Sequence, residues 1–83
     1  MVPLGMEDLQ TLLSILNNRS EALRLVPMFN RLFAAAENKE EFAGIIRGRM
    51  IYDKFYMYSD DSRDYNLGFA HDLIIAQLRQ AGY

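Results

Sequence analysis

Residues 42–58, FAGIIRGRMIYDKFYMY, leave almost no face for water. Half of the chain's aromatic side chains and two of its five glycines fall in this stretch. On a helical wheel, Phe42, Ile45, Ile46, Tyr52, Tyr56 and Met57 cover one broad face. Gly44, Gly48, Ile51, Phe55 and Tyr58 cover the opposite one, and only Arg47 and Lys54 mark a polar edge. A helix that is apolar nearly all round is buried among neighbours. The pattern predicts a central helix over residues 39–58 that the other segments pack around.

The other segments are read by their own periodicity. Met6, Leu9, Leu12, Leu13 and Leu16 recur at i, i+3, i+4 spacing and predict a first helix over residues 6–17. Glu7 and Asp8 in its first turn suit the helix dipole. Asn17-Asn18 is read as its end, because asparagine tolerates turn conformations. Ser20 is read as an N-cap, and Leu25, Phe29, Leu32, Phe33 and Ala36 as the stripe of a second helix. Pro27 removes a donor and clashes with the preceding turn, so helix 2 is expected to be broken or kinked there. Asn38 and Glu41 have capping-box spacing and open helix 3. Residues 59–66, SDDSRDYN, read as a polar loop, with Asp64 or Asn66 capping a last helix over residues 65–81. Its buried face is read as Leu67, Ala70, Leu73, Ile74, Leu78 and Ala81, with Gly82 as the C′ residue.

No segment alternates with period 2 and no hairpin signal appears. The expected fold class is therefore all-α: a small four-helix bundle or an orthogonal helical array. With 83 residues the chain is expected to be one domain, residues 1–83. Residues 1–5 are read as a lead-in, native or vector-derived.

Composition narrows the function. No cysteine is present, which excludes disulfides and thiolate metal sites, and a single histidine cannot build a histidine-rich one. No cofactor is expected. The formal net charge is −2 with both signs mixed, which argues against a chain whose main task is neutralising phosphates. No run approaches the ~20 apolar residues that span a bilayer. The start lacks a basic leader, so no membrane association and a cytoplasmic setting are expected. At 51% hydrophobic and 12% aromatic, a domain this small has difficulty hiding its apolar surface. A homo-oligomer, most simply a dimer, or a standing protein partner is expected.

Several constellations bear on chemistry. Gly44 and Gly48, with Ile51 and Phe55, form a small-residue face that reads either as close packing within the chain or as an oligomer seam. Arg49 and Asp53 fall at i, i+4 and read as an ion pair or a polar-ligand site. Asp60, Asp61, Asp64 and Asp72 miss the calcium-loop pattern, because a loop begun at Asp60 has Tyr65 at its sixth position and His71 at its twelfth. Asp61-Ser62 resembles the phosphopantetheine site of acyl carrier proteins over two residues. It departs from it at Arg63, where a leucine is expected, and Ser62 is read as a capping residue. His71-Asp72 lacks the further histidines of a metal-dependent phosphohydrolase, and His71 is read as a hydrogen-bonded core histidine.

The leading expectation is a small protein–protein interaction module, not an enzyme. It would bind or occlude a macromolecular partner, in the manner of a phage-type or host-specific inhibitor or accessory protein. The residues expected to meet the partner are Arg47, Tyr52, Lys54, Tyr56 and Tyr58, with Tyr65 and Phe69 beyond the loop. The alternative is a nucleic-acid or nucleotide binder using Arg47, Arg49, Lys54 and the neighbouring tyrosines.

Overall fold

A computed structural model describes residues 6–53 and 65–83 of the chain. Helix α1 spans Met6–Ile15, α2 Ala22–Ala35, α3 Lys39–Arg49 and α4 Tyr65–Gln80. A single 3₁₀ turn, Arg19–Glu21, joins α1 to α2. The fold is a small all-α bundle. Among the described residues there is no strand, and no helix is long and apolar enough to cross a membrane.

The central element is α2, not α3. It packs against α4 and against α1. It also meets α3 through a cluster of rings: Phe29 and Phe33 lie 5.8 and 6.0 Å from Phe42 and stack on each other at 5.5 Å. Leu25, Phe29 and Leu32 of its stripe are buried, Ala36 just beyond it is buried too, and Phe33 is half-buried. Around them lie Leu12, Ile15 and Leu16 from α1 and its end, Ala43 and Ile46 from α3, and Leu67, Ile74 and Leu78 from α4.

Helix 3 stops at Arg49, nine residues short of the predicted end at residue 58. Met50 turns to extended backbone (φ −71°, ψ 132°) and tucks its side chain into the core. The reason is a tertiary competitor. Asn17, just past α1, donates from Nδ2 to the carbonyl of Arg49 at 2.8 Å. Its Oδ1 accepts the Ile51 N–H at 2.9 Å. One side-chain amide thus satisfies an orphan carbonyl of the helix end and a donor that would otherwise continue the helix. Gly44 and Gly48 weaken the helix from within, each by about 1 kcal/mol relative to alanine.

Helix 2 is continuous through Pro27 rather than broken there. Two features lower the cost. Pro27 lies in the second turn, on an exposed face. The carbonyl left without its donor is that of Leu23, a residue that is 95% exposed, so water can take the place of the missing N–H.

The helix ends are tied by specific groups. Asn38 caps α3 as expected, accepting the Glu41 N–H at 2.9 Å. Ser20 is not the cap of α2: it lies inside the 3₁₀ turn, and Asn18 Oδ1 accepts from both its N–H and its hydroxyl. Lys39 reaches back to the end of α2 and donates to the carbonyls of Phe33, Ala34 and Ala36 at 2.7, 3.3 and 3.0 Å. A cation there suits the negative end of the helix dipole, and Lys39 also lies over the Phe33 ring. Helix 4 closes with a Schellman motif: the Tyr83 N–H donates to Leu78 and the Gly82 N–H to Arg79. Gly82 takes φ +93°, the left-handed conformation that favours glycine.

Two predictions follow from these contacts. Asn17→Ala removes both bonds to the end of α3 and is expected to cost about 1–3 kcal/mol. That lowers the thermal midpoint by several degrees, while Asn30→Ala on the exposed side of α2 stays within about 0.5 kcal/mol. The opposite sign is expected at Gly44→Ala and Gly48→Ala. A Cβ at either position meets nothing within 4 Å, so each change should stabilise by about 0.5–1 kcal/mol in thermal melts of dilute protein.

Candidate functional site

Helices α2 and α4 lie side by side, and their N-terminal halves leave a groove between them. On the α2 side it is lined by Ala22, Leu23 and Val26; on the α4 side by Asn66, Phe69, Ala70 and Leu73. Its volume is about 400 Å³. Leu23 stands 95% exposed on one wall; Phe69 and Leu73 are 47% and 36% exposed on the other. One end opens into a polar extension lined by Asn18, Arg19, Ser20 and Asn66. The surface is thus an apolar trough with a polar mouth.

Local sequence explains why these residues stand outside. The buried arc of α2 is set by Ala22, Leu25, Phe29 and Leu32, and Leu23 falls off that arc. In α4 the inward arc is Leu67, Ala70, His71, Ile74, Ile75 and Leu78. Leu73, expected in the core, is displaced to the groove wall because the inward arc is rotated towards Ile75 and His71. Ala81, also expected to be buried, lies past the helix and is exposed.

The expected partner-binding residues are dispersed. Phe69 is in the groove. Tyr65 is the first residue of α4. Tyr52 is half-buried, packed against the core with its ring 5.7 Å from that of His71. Arg47 is half-buried and engaged: its Nε donates to Asp53 Oδ1 at 3.1 Å and its Nη1 to the Tyr83 main-chain oxygen at 3.3 Å. Lys54, Tyr56 and Tyr58 lie outside the described residues.

The predicted Arg49–Asp53 pair is corrected by the same contacts. Once α3 ends at Arg49, residues 49 and 53 no longer share a helical face, and Asp53 folds back onto Arg47. Arg49 is exposed and contributes its carbonyl to Asn17. Gly44 and Gly48 are exposed with open space around them, so close packing inside the chain is not their role. Ile51 beside them is 60% exposed, and Phe55 lies outside the described residues.

His71 is fully buried, and its Nε2 lies 2.7 Å from the Leu16 carbonyl oxygen. A carbonyl can only accept, so Nε2 carries the proton and donates. This ties α4 to the end of α1 and is structural work. Asp72 is buried next to it in sequence, whereas Arg49 and Asp53 are on the surface. Arg49, Asp53 and His71 therefore do not converge on one site. Among the described residues no three histidine, aspartate or glutamate side chains are grouped to hold a metal ion. A second, shallower cavity of about 280 Å³ is lined by Leu9, Phe42, Ile45 and the cap residues Asn38 and Glu41. Its Asn38 side chain is already committed to the helix cap.

No protein-family model, characterised protein or solved structure matches the chain. The groove is the feature that sequence reasoning missed. Its signal was present: Leu23 is a large apolar residue off the stripe of an otherwise amphipathic helix.

Neighbouring leucines of α2 should respond oppositely to truncation. Leu25→Ala, at a fully buried position, is expected to cost about 2–5 kcal/mol. Leu23→Ala is expected to change stability by less than about 0.5 kcal/mol. Urea denaturation of the two variants at low protein concentration checks both.

Proposed function

We propose that this chain is a small cytoplasmic interaction module that acts by binding or occluding a macromolecular partner rather than by catalysis. The observation that supports this reading most is the α2/α4 groove. Leu23, Phe69 and Leu73 cluster on one face, and the other large apolar side chains among the described residues are mostly buried or half-buried. Large apolar residues grouped around a concavity mark docking surfaces, whereas scattered ones need no explanation. An apolar groove between two helices is the geometry that receives an apolar helix face. Phage-type or host-specific accessory proteins would use such a surface to block a site on their target.

The nucleic-acid reading draws less support. Arg47 is paired with Asp53, which reduces its availability to phosphate. The net charge of −2 opposes the approach of a polyanion.

Affinity capture from cells of the source, using the wild-type chain and Leu23→Asp, tests the reading. The wild-type chain is expected to retain a discrete macromolecule that the variant binds at least about 30-fold more weakly, the loss of a single apolar hot spot. Equal retention by both chains would move the docking surface away from the groove. Retention of nothing by the wild type would reject partner binding.

A further inference from the structure

We propose that α3 has two lengths and that Asn17 is the clasp that selects the shorter one: released from Asn17, the helix runs on through Asp53. The inference concerns α3 alone and is independent of the groove. Three observations carry it. The first is competition for the same two groups. An α-helix continued past Arg49 needs the Ile51 N–H to donate to the Arg47 carbonyl and the Arg49 carbonyl to accept from the Asp53 N–H. Asn17 holds both groups: its Oδ1 accepts the Ile51 N–H at 2.9 Å and its Nδ2 donates to the Arg49 carbonyl at 2.8 Å. One residue earlier the ladder is intact, since the Met50 N–H donates to the Ile46 carbonyl at 3.0 Å.

The second is the point where the chain leaves the helix. Met50 keeps φ at −71°, within the helical range, and departs at ψ, which is 132° against about −42° in a helix. Rotation about that bond moves nothing that precedes the Met50 carbonyl. The buried Met50 side chain therefore keeps its place in the core at either length. The residues that swing are Ile51 and Asp53, which are exposed, and Tyr52, which is half-buried.

The third is an alternative partner for Asp53. In the short form its Oδ1 accepts from Arg47 Nε at 3.1 Å, in a surface pair. In the longer helix it lies four residues after the exposed Arg49, the spacing at which helical ion pairs form. Lengthening thus exchanges one arginine for the other. It also carries Tyr52 away from the His71 ring, 5.7 Å distant in the short form. Because the two lengths use Asn17 differently, whatever binds its side-chain amide shifts the balance towards the longer helix.

Cα and Cβ chemical shifts of the full chain test the proposal. The wild type is expected to show extended backbone at Met50, and chemical-exchange saturation transfer to reveal a minor state of about 1–10% with helical shifts at residues 51–53. Asn17→Ala removes the clasp. Its ratio of long to short form should rise at least about tenfold, the worth of two hydrogen bonds. Helical shifts then reach residues 50–53, and the nuclear Overhauser contact between the Tyr52 and His71 rings disappears. Adding Ile51→Pro to Asn17→Ala should restore extended backbone at Met50, because proline disfavours helical dihedrals in the residue before it. Circular dichroism checks that each variant keeps the fold. Extended or random-coil shifts at residues 50–53 in a folded Asn17→Ala overturn the proposal. If Asn17→Ala does not fold, the wild type decides, and the lack of a minor helical state at residues 51–53 overturns it.

Discussion

The side-chain amide of Asn17 and the carbonyl of Leu16 hold three helices to one point. Asn17 fixes where α3 ends, through the Arg49 carbonyl and the Ile51 N–H. Leu16, itself fully buried, receives the His71 Nε2–H from the middle of α4. These two residues follow directly after α1, where the last carbonyls of a helix have no intrahelical donor. Here an otherwise costly orphan acceptor becomes the anchor for an element 55 residues away in sequence. A small domain without disulfides has few other means of fixing helix positions, and directional bonds at a helix end specify register where apolar packing alone does not.

The same logic recurs at other helix ends. Lys39 belongs to α3 but neutralises the carbonyl end of α2. Arg47, in the last turn of α3, reaches the main chain at Tyr83, just past α4. Tyr83 in turn sets its ring edge-on to Phe33 of α2. The C-terminal end of each helix, or the residue just past it, thus receives a side-chain donor from another element. The helices are short, and isolated helices of this length are marginal in water, so their ends are defined by tertiary partners as much as by local capping signals.

That dependence explains which features the sequence disclosed. The class, the apolar stripes of α1 and α2, the Asn38 cap and the Gly82 terminator are all local, set by residues within a turn or two. Helix 3 was misjudged because its boundary is not local. Nothing between Met50 and Tyr58 forbids a helix, and the residue that stops it is Asn17, which is 32 positions from Arg49. The Arg49–Asp53 pair failed with it, since i, i+4 reasoning presumes that the helix continues. Pro27 is expected to break or kink α2, and no break occurs: the carbonyl that loses its donor belongs to Leu23, which is 95% exposed. His71 was read correctly as a core residue, but not its partner, since no spacing rule links it to Leu16.

The groove became visible only when α2 and α4 were placed together, yet its key residue was already anomalous. Leu23 lies beside a stripe that does not need it, in the first turn of a helix and four residues before a proline. Burial inside the chain would require α2 to roll, which would expose Leu25 and Phe29 and forfeit the ring cluster with Phe42. The core therefore fixes the orientation of α2, and that orientation places Leu23 outside. An apolar side chain held outward in this way is fixed by the packing of its own helix rather than by contacts of its own. It differs in this from Phe42, Ile46 and Met50, which are used inside the fold.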